Sequence, residues 1–414
     1  MDMTIDQIQY FSLMEQAECE MEMFDYFCQL DYIEMSGIKQ ESGKIGAIAT
    51  QFFITLKRSI QISIKFIMST IKYIVNVIKD DYKYNVIAKK ADAIIKKLKK
   101  ENPEALKKMH QVPAINNFFS PAKAKESAIY RHLRYSKYDN IRIDDFLKDG
   151  KEDSFKKIAS LFESTYMFFI GSDFSEITGL NIGNITGLNR YDLFNPKSIE
   201  DLNNAYEKYR DFLSGENKKF AYTMVTAQAI IQCSDTQKEY LSEIFTNAKG
   251  DEDGEYNVDN IFGYVVKYWE ELGIGYYNID GKLVPDFVTY CKNCARVLND
   301  FKSVLNEVRL DNEYIEKMVD AISKRQDNAN YDQRLINVYV MCAKDFTNLT
   351  TKYLTTQMKC ITHVRDFYYS YLVKIVEAYE NGGNEEDNQD KSSSYFGKPD
   401  ADGMYSYTPH VSQA

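Results

Sequence analysis

The chain has 414 residues, a formal net charge of −10, 19 Gly and only 7 Pro. A length of this order predicts two or three domains, and the shortage of Gly and Pro argues against collagen-like, low-complexity and turn-rich all-β proteins. Seven Cys at irregular spacing do not form a disulfide framework and favour buried free thiols in a reducing compartment. We therefore expect a mostly α protein: an elongated helical bundle with long C-terminal helices.

Residues 1–43 form an acidic segment, with ten acidic residues against one basic residue. Apolar side chains recur in it at spacings of three and seven, which predicts an amphipathic helical arm: Ile5, Ile8, Phe11, Met14, Met21, Phe24, Phe27 and Leu30. The arm is either an ordinary helix docked on the rest of the chain or a cover for the basic segment that follows. The first residues lack the pattern of a signal peptide, so we expect no secretion by that route.

Residues 44–108 form a basic segment, with fifteen Lys and Arg against five acidic residues. In residues 51–79, four cations fall seven residues apart, which places them on one narrow polar stripe of a helix: Arg58, Lys65, Lys72 and Lys79. Gln51, Thr55, Ser69 and Asn76 fill the same stripe. A second predicted helix, residues 83–100, adds Lys89, Lys90, Lys96 and Lys97.

Three interpretations of the basic segment remain open at this point. It is a core or oligomer-contact helix whose Lys side chains reach water, a membrane-surface or membrane-disrupting helix, or a contact for phosphate in lipid or packaged nucleic acid. All three use the same stripe of cations and differ in what covers the apolar remainder of the helix.

Pro103, Pro113 and Pro121 frame a non-helical linker, residues 109–125, where we place a domain boundary. A helical domain follows over residues 126–380, with helices predicted at 153–170, 199–213, 218–247, 258–272, 286–325 and 330–380. The Asp280-Gly281 pair predicts a small β-hairpin within residues 274–284. Residues 381–414 have the composition of a disordered tail.

One set of residues has the spacing of a metal site. Cys291 and Cys294 are three residues apart, as are Cys360 and His363, so each pair faces one side of its helix. If the two long helices pack antiparallel, the four side chains meet as a Cys₃His zinc site. The alternative is that they are small core thiols and a hydrogen-bonded histidine. No catalytic motif accompanies them, so we expect a protein that is not an enzyme, with no cofactor other than this candidate zinc.

The N-terminal quarter of the chain carries a resemblance. An acidic, Met-rich and Glu-rich opening (MEQAECEMEMFDYF), a short Gly/Ser break and the stretch FFITLKRSIQISIKFIMSTIKYIVNVIK are together similar to poorly characterised virion proteins of tailed phages of Gram-positive gut bacteria. The resemblance implies a structural or internal virion protein, assembled in the host cytoplasm, whose partners are other virion proteins or further copies of itself. The alternative function is a membrane-associating or membrane-disrupting protein that uses helix 51–79.

Overall fold

The structure is a computed structural model, and it describes residues 45–79, 81–108, 112–127, 130, 174–178, 198–212, 215–248, 256, 258–272, 276–279, 281–324 and 333–380. The acidic arm (1–43), the predicted helix 153–170 and the predicted tail (381–414) lie outside these residues.

The described residues are mainly α-helical, which confirms the predicted fold class. In chain order the elements are α1 (Ile45–Lys79), α2 (Asp81–Glu101), α3 (Pro103–Lys108), β1 (Val112–Pro113), a 3₁₀ turn (Ile115–Asn117), α4 (Pro121–Glu126), α5 (Phe174–Thr178), α6 (Ile199–Phe212), α7 (Gly215–Cys233), α8 (Lys238–Asn247), α9 (Val258–Leu272), β2 (Tyr276–Tyr277), α10 (Leu283–Lys324) and α11 (Gln333–Glu380).

The two C-terminal helices are as long as the sequence predicts. α10 has 42 residues and α11 has 48, which correspond to about 63 and 72 Å at 1.5 Å per residue. α11 contains neither Gly nor Pro, so nothing in its sequence interrupts the helical hydrogen bonds. Pro103 and Pro121 stand at the first position of α3 and α4, where a missing N–H breaks no helical bond.

Helices α1, α10 and α11 pack side by side. On α1, the ammonium of Lys57 lies 2.9 Å from a carboxylate oxygen of Asp320 on α10, and Gln61 donates a 2.7 Å hydrogen bond to Glu316 one turn earlier on α10, so the two helices run antiparallel. The Asn312 side chain of α10 donates to the Thr347 hydroxyl of α11 at 2.7 Å. Earlier on α10, the Cys294 thiol lies 3.8 Å from the carbonyl of Ile361, which is later on α11 than Thr347. Helices α10 and α11 are therefore also antiparallel, and α1 and α11 run in the same direction.

Helix α2 is held against α11 by a polar and aromatic contact. The Tyr84 hydroxyl donates to Asp366 at 2.6 Å, and the Arg365 guanidinium lies 4.3 Å from the centre of the Tyr84 ring. Arg365 is almost completely buried, and its Nε also lies 3.2 Å from Asp366. A cation with an aromatic face and a carboxylate beside it keeps favourable interactions after it leaves water.

The predicted linker, residues 109–125, is described from residue 112 onward. Residues 112–120 contain β1 and a 3₁₀ turn, but residues 121–125 lie in α4, so the prediction of a non-helical linker is wrong there, because Pro121 occupies the first helical position. Residues 112–120 are part of the core. The apolar side chains of Val112, Ile115, Phe118 and Phe119 are fully buried in the same hydrophobic cluster that contains side chains of α1, α2, α10 and α11. The sequence predicts a domain boundary here. The structure instead places the segment inside a core shared by the helices on both sides, because its aromatic and branched side chains need that burial.

Two local predictions in the helical region need correction. The predicted helix 218–247 is two helices, α7 and α8, interrupted after Cys233. The interruption is fixed by the core segment: the Asp235 amide donates to the Phe118 carbonyl at 3.0 Å, and the Ser120 amide donates to the Cys233 carbonyl at 3.0 Å. These bonds replace helical ones and direct the chain away from the helix axis.

The predicted hairpin at 274–284 is also wrong. The Gly281 amide does bond the Asn278 carbonyl at 3.0 Å, which makes a turn, but α10 begins at Leu283 directly after it. Strand β2 pairs antiparallel with β1 instead, so that Tyr277 stands opposite Val112. A strand of two residues takes whichever partner the surrounding packing brings close, and here that partner is the buried segment.

Candidate interaction surface on the basic helices

Helix α1 uses its apolar side chains for the core. Among its described side chains seven apolar ones are buried, and all except Phe66 belong to the hydrophobic cluster shared with α10 and α11: Phe53, Leu56, Ile60, Ile67, Ile71 and Ile74. The small polar residues Ser59, Ser63 and Thr70 lie on the same buried side. Part of the apolar surface that makes the helix resemble a membrane-active one is therefore covered by protein, and a similar number of its apolar side chains are half-buried, among them Ile62, Ile64, Val75, Val77 and Ile78.

The exposed side of α1 carries the four predicted cations. The exposed residues lie at alternating spacings of three and four from Gln51 to Lys72, and Lys79 follows seven residues later. We call this set the basic row: Gln51, Ile54, Arg58, Gln61, Lys65, Met68, Lys72 and Lys79. Thr55, Ser69 and Asn76, which the sequence predicts on the polar stripe, are half-buried. The exposed face is therefore rotated away from them, and it includes two apolar residues, Ile54 at 41% and Met68 at 47% exposure.

The cations of the basic row have no acidic partner among the described residues. Lys57, beside Arg58 but off the row, is bonded to Asp320, and this hydrogen bond raises the pKa of Lys57. The nearest acidic side chains of α10 are thus directed to Lys57 and Gln61. Arg58, Lys65 and Lys72 are about 10.5 Å apart along the helix, comparable to the Debye length of about 8 Å at physiological salt.

The lysines of α2 are also exposed, and three of them have an acidic partner. Lys96 lies 2.6 Å from Asp92, Lys97 lies 3.9 Å from Glu101, and Lys90 lies 3.8 Å from Glu380 at the end of α11. Lys89 is exposed as well. The positive charge predicted along residues 44–108 is thus partly compensated on α2, whereas the four cations of the basic row have no acidic partner among the described residues.

The four candidate zinc ligands do not come together in the described structure. His363 points to α9, where its Nε2 lies 2.8 Å from Asp259, and this contact lowers the pKa of the Asp259 carboxyl. The Cys294 thiol is directed at the Ile361 carbonyl, 3.8 Å away. No group of three or more His, Cys, Asp or Glu within the described ranges is arranged to hold a metal ion.

The cysteines of this region have the properties of core residues. Cys291, Cys294 and Cys360 are buried free thiols, as is Cys233 on α7. Burial raises the pKa of the Cys360 thiol well above its usual value, and the neighbouring Cys233 adds to the shift. Buried free thiols are what the alternative of small core cysteines predicts.

One stretch of the described chain, Gln51–Glu101, contains a window long and apolar enough to cross a membrane. The criterion uses length and composition only, and core helices of globular proteins also meet it, so it is weak evidence for a spanning segment. No protein-family model, no curated protein and no solved structure matches the chain. A functional assignment therefore has to be argued from the surface itself.

Proposed function

We propose that the protein is a non-enzymatic structural protein of a tailed-phage particle, which binds other particle components through the basic row of α1. The observation that carries the proposal is the row itself: cations at Arg58, Lys65, Lys72 and Lys79 with no acidic partner in the described structure, on a helix whose other side is anchored in the core. The N-terminal layout that resembles virion proteins supports the particle as the setting.

The arrangement suits an assembly role for two physical reasons. A row of cations spaced over three helical turns or more attracts an anionic surface before contact and fixes its direction along the helix. Helix α1 is itself held along its length by α10 and α11, so little conformational freedom is lost when a partner binds.

The first test is mass spectrometry of density-purified particles from the natural source of the protein. We expect peptides of this chain to sediment with the particles at constant stoichiometry across the density peak. The structural assignment would be refuted if the particles lacked this protein, or if its amount did not follow the amount of particles across the density peak.

The second test asks whether the basic row is the binding surface. In a host that carries the variant gene, Lys65→Glu with Lys72→Glu is expected to reduce incorporation into particles. The matched control is Lys99→Glu with Lys100→Glu, which makes the same change of charge at exposed positions of α2. Equal incorporation of both variants would show that the row is not used.

A membrane-associating protein is the second candidate, and one observation favours it: Ile54 and Met68 stand exposed between the cations. Because one side of α1 is packed in the hydrophobic core, the helix would approach a lipid surface with its exposed side. Flotation of the full chain, and of a chain lacking residues 1–43, with vesicles of anionic and of neutral lipid tests it. Binding of either chain to the anionic vesicles alone would favour this candidate, and binding of neither chain to either lipid would exclude it.

A further inference from the structure

The cations of α1 continue in line onto α2. Seven residues complete two helical turns less about 20°, so the heptad-spaced cations from Arg58 to Lys79 shift gradually around the helix. The next cation on this side, Lys83, comes four residues after Lys79, a step of about 40° in the opposite sense, and the spacing of seven then resumes. All seven side chains are exposed, and we call them the cation line: Arg58, Lys65, Lys72, Lys79, Lys83, Lys90 and Lys97.

Helix α2 runs parallel to α11. The Tyr84 hydroxyl bonds Asp366, and the Lys97 ammonium lies 5.3 Å from the centre of the Tyr379 ring. Both pairs differ by 282 in residue number. Two contacts with the same difference mean that α2 and α11 have the same direction and the same rise per residue.

Helix α1 follows α11 with the same difference. Lys57 reaches Asp320 of α10, which is eight residues beyond Asn312, and Asn312 bonds Thr347 of α11. Because α10 and α11 are antiparallel, Lys57 is level with about residue 339 of α11, which is again a difference of about 282. Helices α1 and α2 therefore follow α11 in one direction, and so does the cation line.

The cation line is long and narrow. It extends about 58 Å at 1.5 Å per residue, and its seven positions stay within about 60° around the helix axis. The exposed residues between the cations on the same side are uncharged: Gln61, Met68, Val86 and Ala93. The line is therefore a single file of positive charges along the side of the bundle.

Two of the seven cations lie near acidic side chains. Lys90 lies 3.8 Å from Glu380 and Lys97 lies 3.9 Å from Glu101, and all four side chains are more than half exposed. Ion pairs this exposed contribute about 0–1 kcal/mol, so a phosphate can replace either carboxylate. The formal net charge of −10 acts weakly at the line, because charges farther away than about 8 Å are screened at physiological salt.

From these observations we infer that the cation line binds double-stranded nucleic acid lengthwise, through the phosphates of its backbone. A duplex is a stiff linear polyanion with one negative charge per about 1.7 Å of its axis, so it contacts a file of cations along its whole length. No described residue of the line, or between its members on that side, is aromatic, so the surface lacks the stacking positions that hold single strands. An interfacial membrane helix instead inserts one apolar face, and the exposed apolar residues here are separate side chains between cations.

The geometry also predicts that binding is independent of base sequence. A groove of the duplex turns once around the axis in about 34 Å, so a longer helix that lies along the duplex crosses the grooves and does not enter one. Contacts to phosphates fix position and carry no base information. The inference rests on the proposed function for its setting: the particle component that α1 binds is then the packaged nucleic acid.

The test is fluorescence anisotropy of labelled DNA duplexes with the purified full chain. A duplex of about 20 base pairs is about 68 Å long and covers the line, whereas about 10 base pairs cover little more than half of it. We expect the longer duplex to bind about tenfold more tightly, or more, at about 100 mM salt. The slope of log K against log salt should be about −5 to −6 for the longer duplex and about −3 for the shorter one.

Charge variants test whether the line is the binding surface. One variant removes three charges from the middle of the line: Lys65→Gln, Lys72→Gln and Lys83→Gln. It is expected to weaken binding of the longer duplex by about tenfold or more and to reduce the slope by about 2–3. The matched control removes three charges from exposed positions of α2 that lie about 80° or more around the helix from the line: Lys89→Gln, Lys96→Gln and Lys99→Gln. It is expected to change the affinity by less than about threefold.

The inference is overturned if the full chain does not bind the longer duplex at about 100 mM salt, if both duplexes bind with the same affinity and slope, or if the two triple variants lose binding equally. Flotation with anionic vesicles by a chain that binds neither duplex would assign the line to lipid instead. Presence in particles without duplex binding contradicts this inference alone. Duplex binding by a protein that is absent from particles contradicts the particle assignment alone.

Discussion

Removal of one buried hydroxyl, by Tyr368→Phe, tests whether the segment between α3 and α4 is held in the core as described. The Tyr368 hydroxyl donates to the Pro113 carbonyl at 3.0 Å and accepts from the Asn116 amide at 3.0 Å. The ring is about 2% exposed and packs edge-on against Phe367. Phenylalanine retains the ring contacts, so the substitution removes the two hydrogen bonds and little else.

The expected cost follows from the groups that lose a partner. A buried polar group left without its hydrogen bond costs about 1–3 kcal/mol. Pro113 is buried and Asn116 is half-buried, so the second contribution belongs at the low end of that range. We therefore expect the free energy of unfolding to fall by about 2–4 kcal/mol.

Urea denaturation followed by tryptophan fluorescence measures this change close to the affected segment. Trp269 is the only Trp in the chain, and its ring centre lies 5.5 Å from that of Phe118. Tyr240→Phe on α8 is the matched control, because this half-buried tyrosine has a ring contact but no hydroxyl hydrogen bond among the described residues. If Tyr368→Phe is no less stable than Tyr240→Phe, the described anchoring of the segment is wrong.

Three further predictions concern the helices and the cysteines. Burial, with a smaller contribution from Glu307, raises the pKa of Asp311 to about 6. The folded state therefore binds this proton more tightly than the unfolded state does. The stability that the bound proton contributes is lost as the pH rises from about 4 through 6. Asp311→Asn should therefore stabilise the protein at pH 7.5 relative to the wild type and have little effect at pH 4; equal effects at both pH values would contradict the assigned environment. Ser63→Ala should raise the free energy of unfolding by about 1 kcal/mol, because the Ser63 hydroxyl is buried without a hydrogen-bond partner and alanine is the better helix former. The control is Ser69→Ala, at a half-buried position of the same helix. If Ser63→Ala instead lowers the free energy of unfolding, the Ser63 hydroxyl has a hydrogen-bond partner. Treatment with a strong zinc chelator should leave the thermal unfolding temperature unchanged, because the four candidate ligands are not arranged to hold a metal ion in the described structure. A lower unfolding temperature after treatment, together with stoichiometric zinc in the untreated protein, would show that they do bind a metal.

The helices were predictable because their signal is periodic and uninterrupted. The 258–272 helix is found with the predicted bounds, and the two C-terminal helices begin and end within about three residues of prediction. The break after Cys233 was not predictable, since residues 234–237 contain neither Gly nor Pro. It depends on hydrogen bonds to Phe118 and Ser120, more than a hundred residues earlier.

The surface of α1 was predictable in its charges and not in its full composition. Heptad spacing alone places Arg58, Lys65 and Lys72 on one side, and they are exposed. The exposure of Ile54 and Met68 depends on the angle at which α10 and α11 approach, which periodicity does not contain. The burial of polar residues of α11 such as Thr350 was also not predictable from periodicity. A helix that is surrounded by neighbours buries its polar side as well as its apolar side.

The packing of α1 also has a consequence for synthesis of the protein. Among the described elements, α1 packs mainly on α10 and α11, which begin at Leu283 and Gln333. At about 5–20 residues per second, the ribosome needs on the order of 10–40 s after completing α1 to make the start of α10. During that interval the apolar side of α1 has no partner from those helices. The nascent chain is therefore most prone to aggregation while its central third is being made. A chain truncated before residue 283 leaves this apolar side exposed permanently.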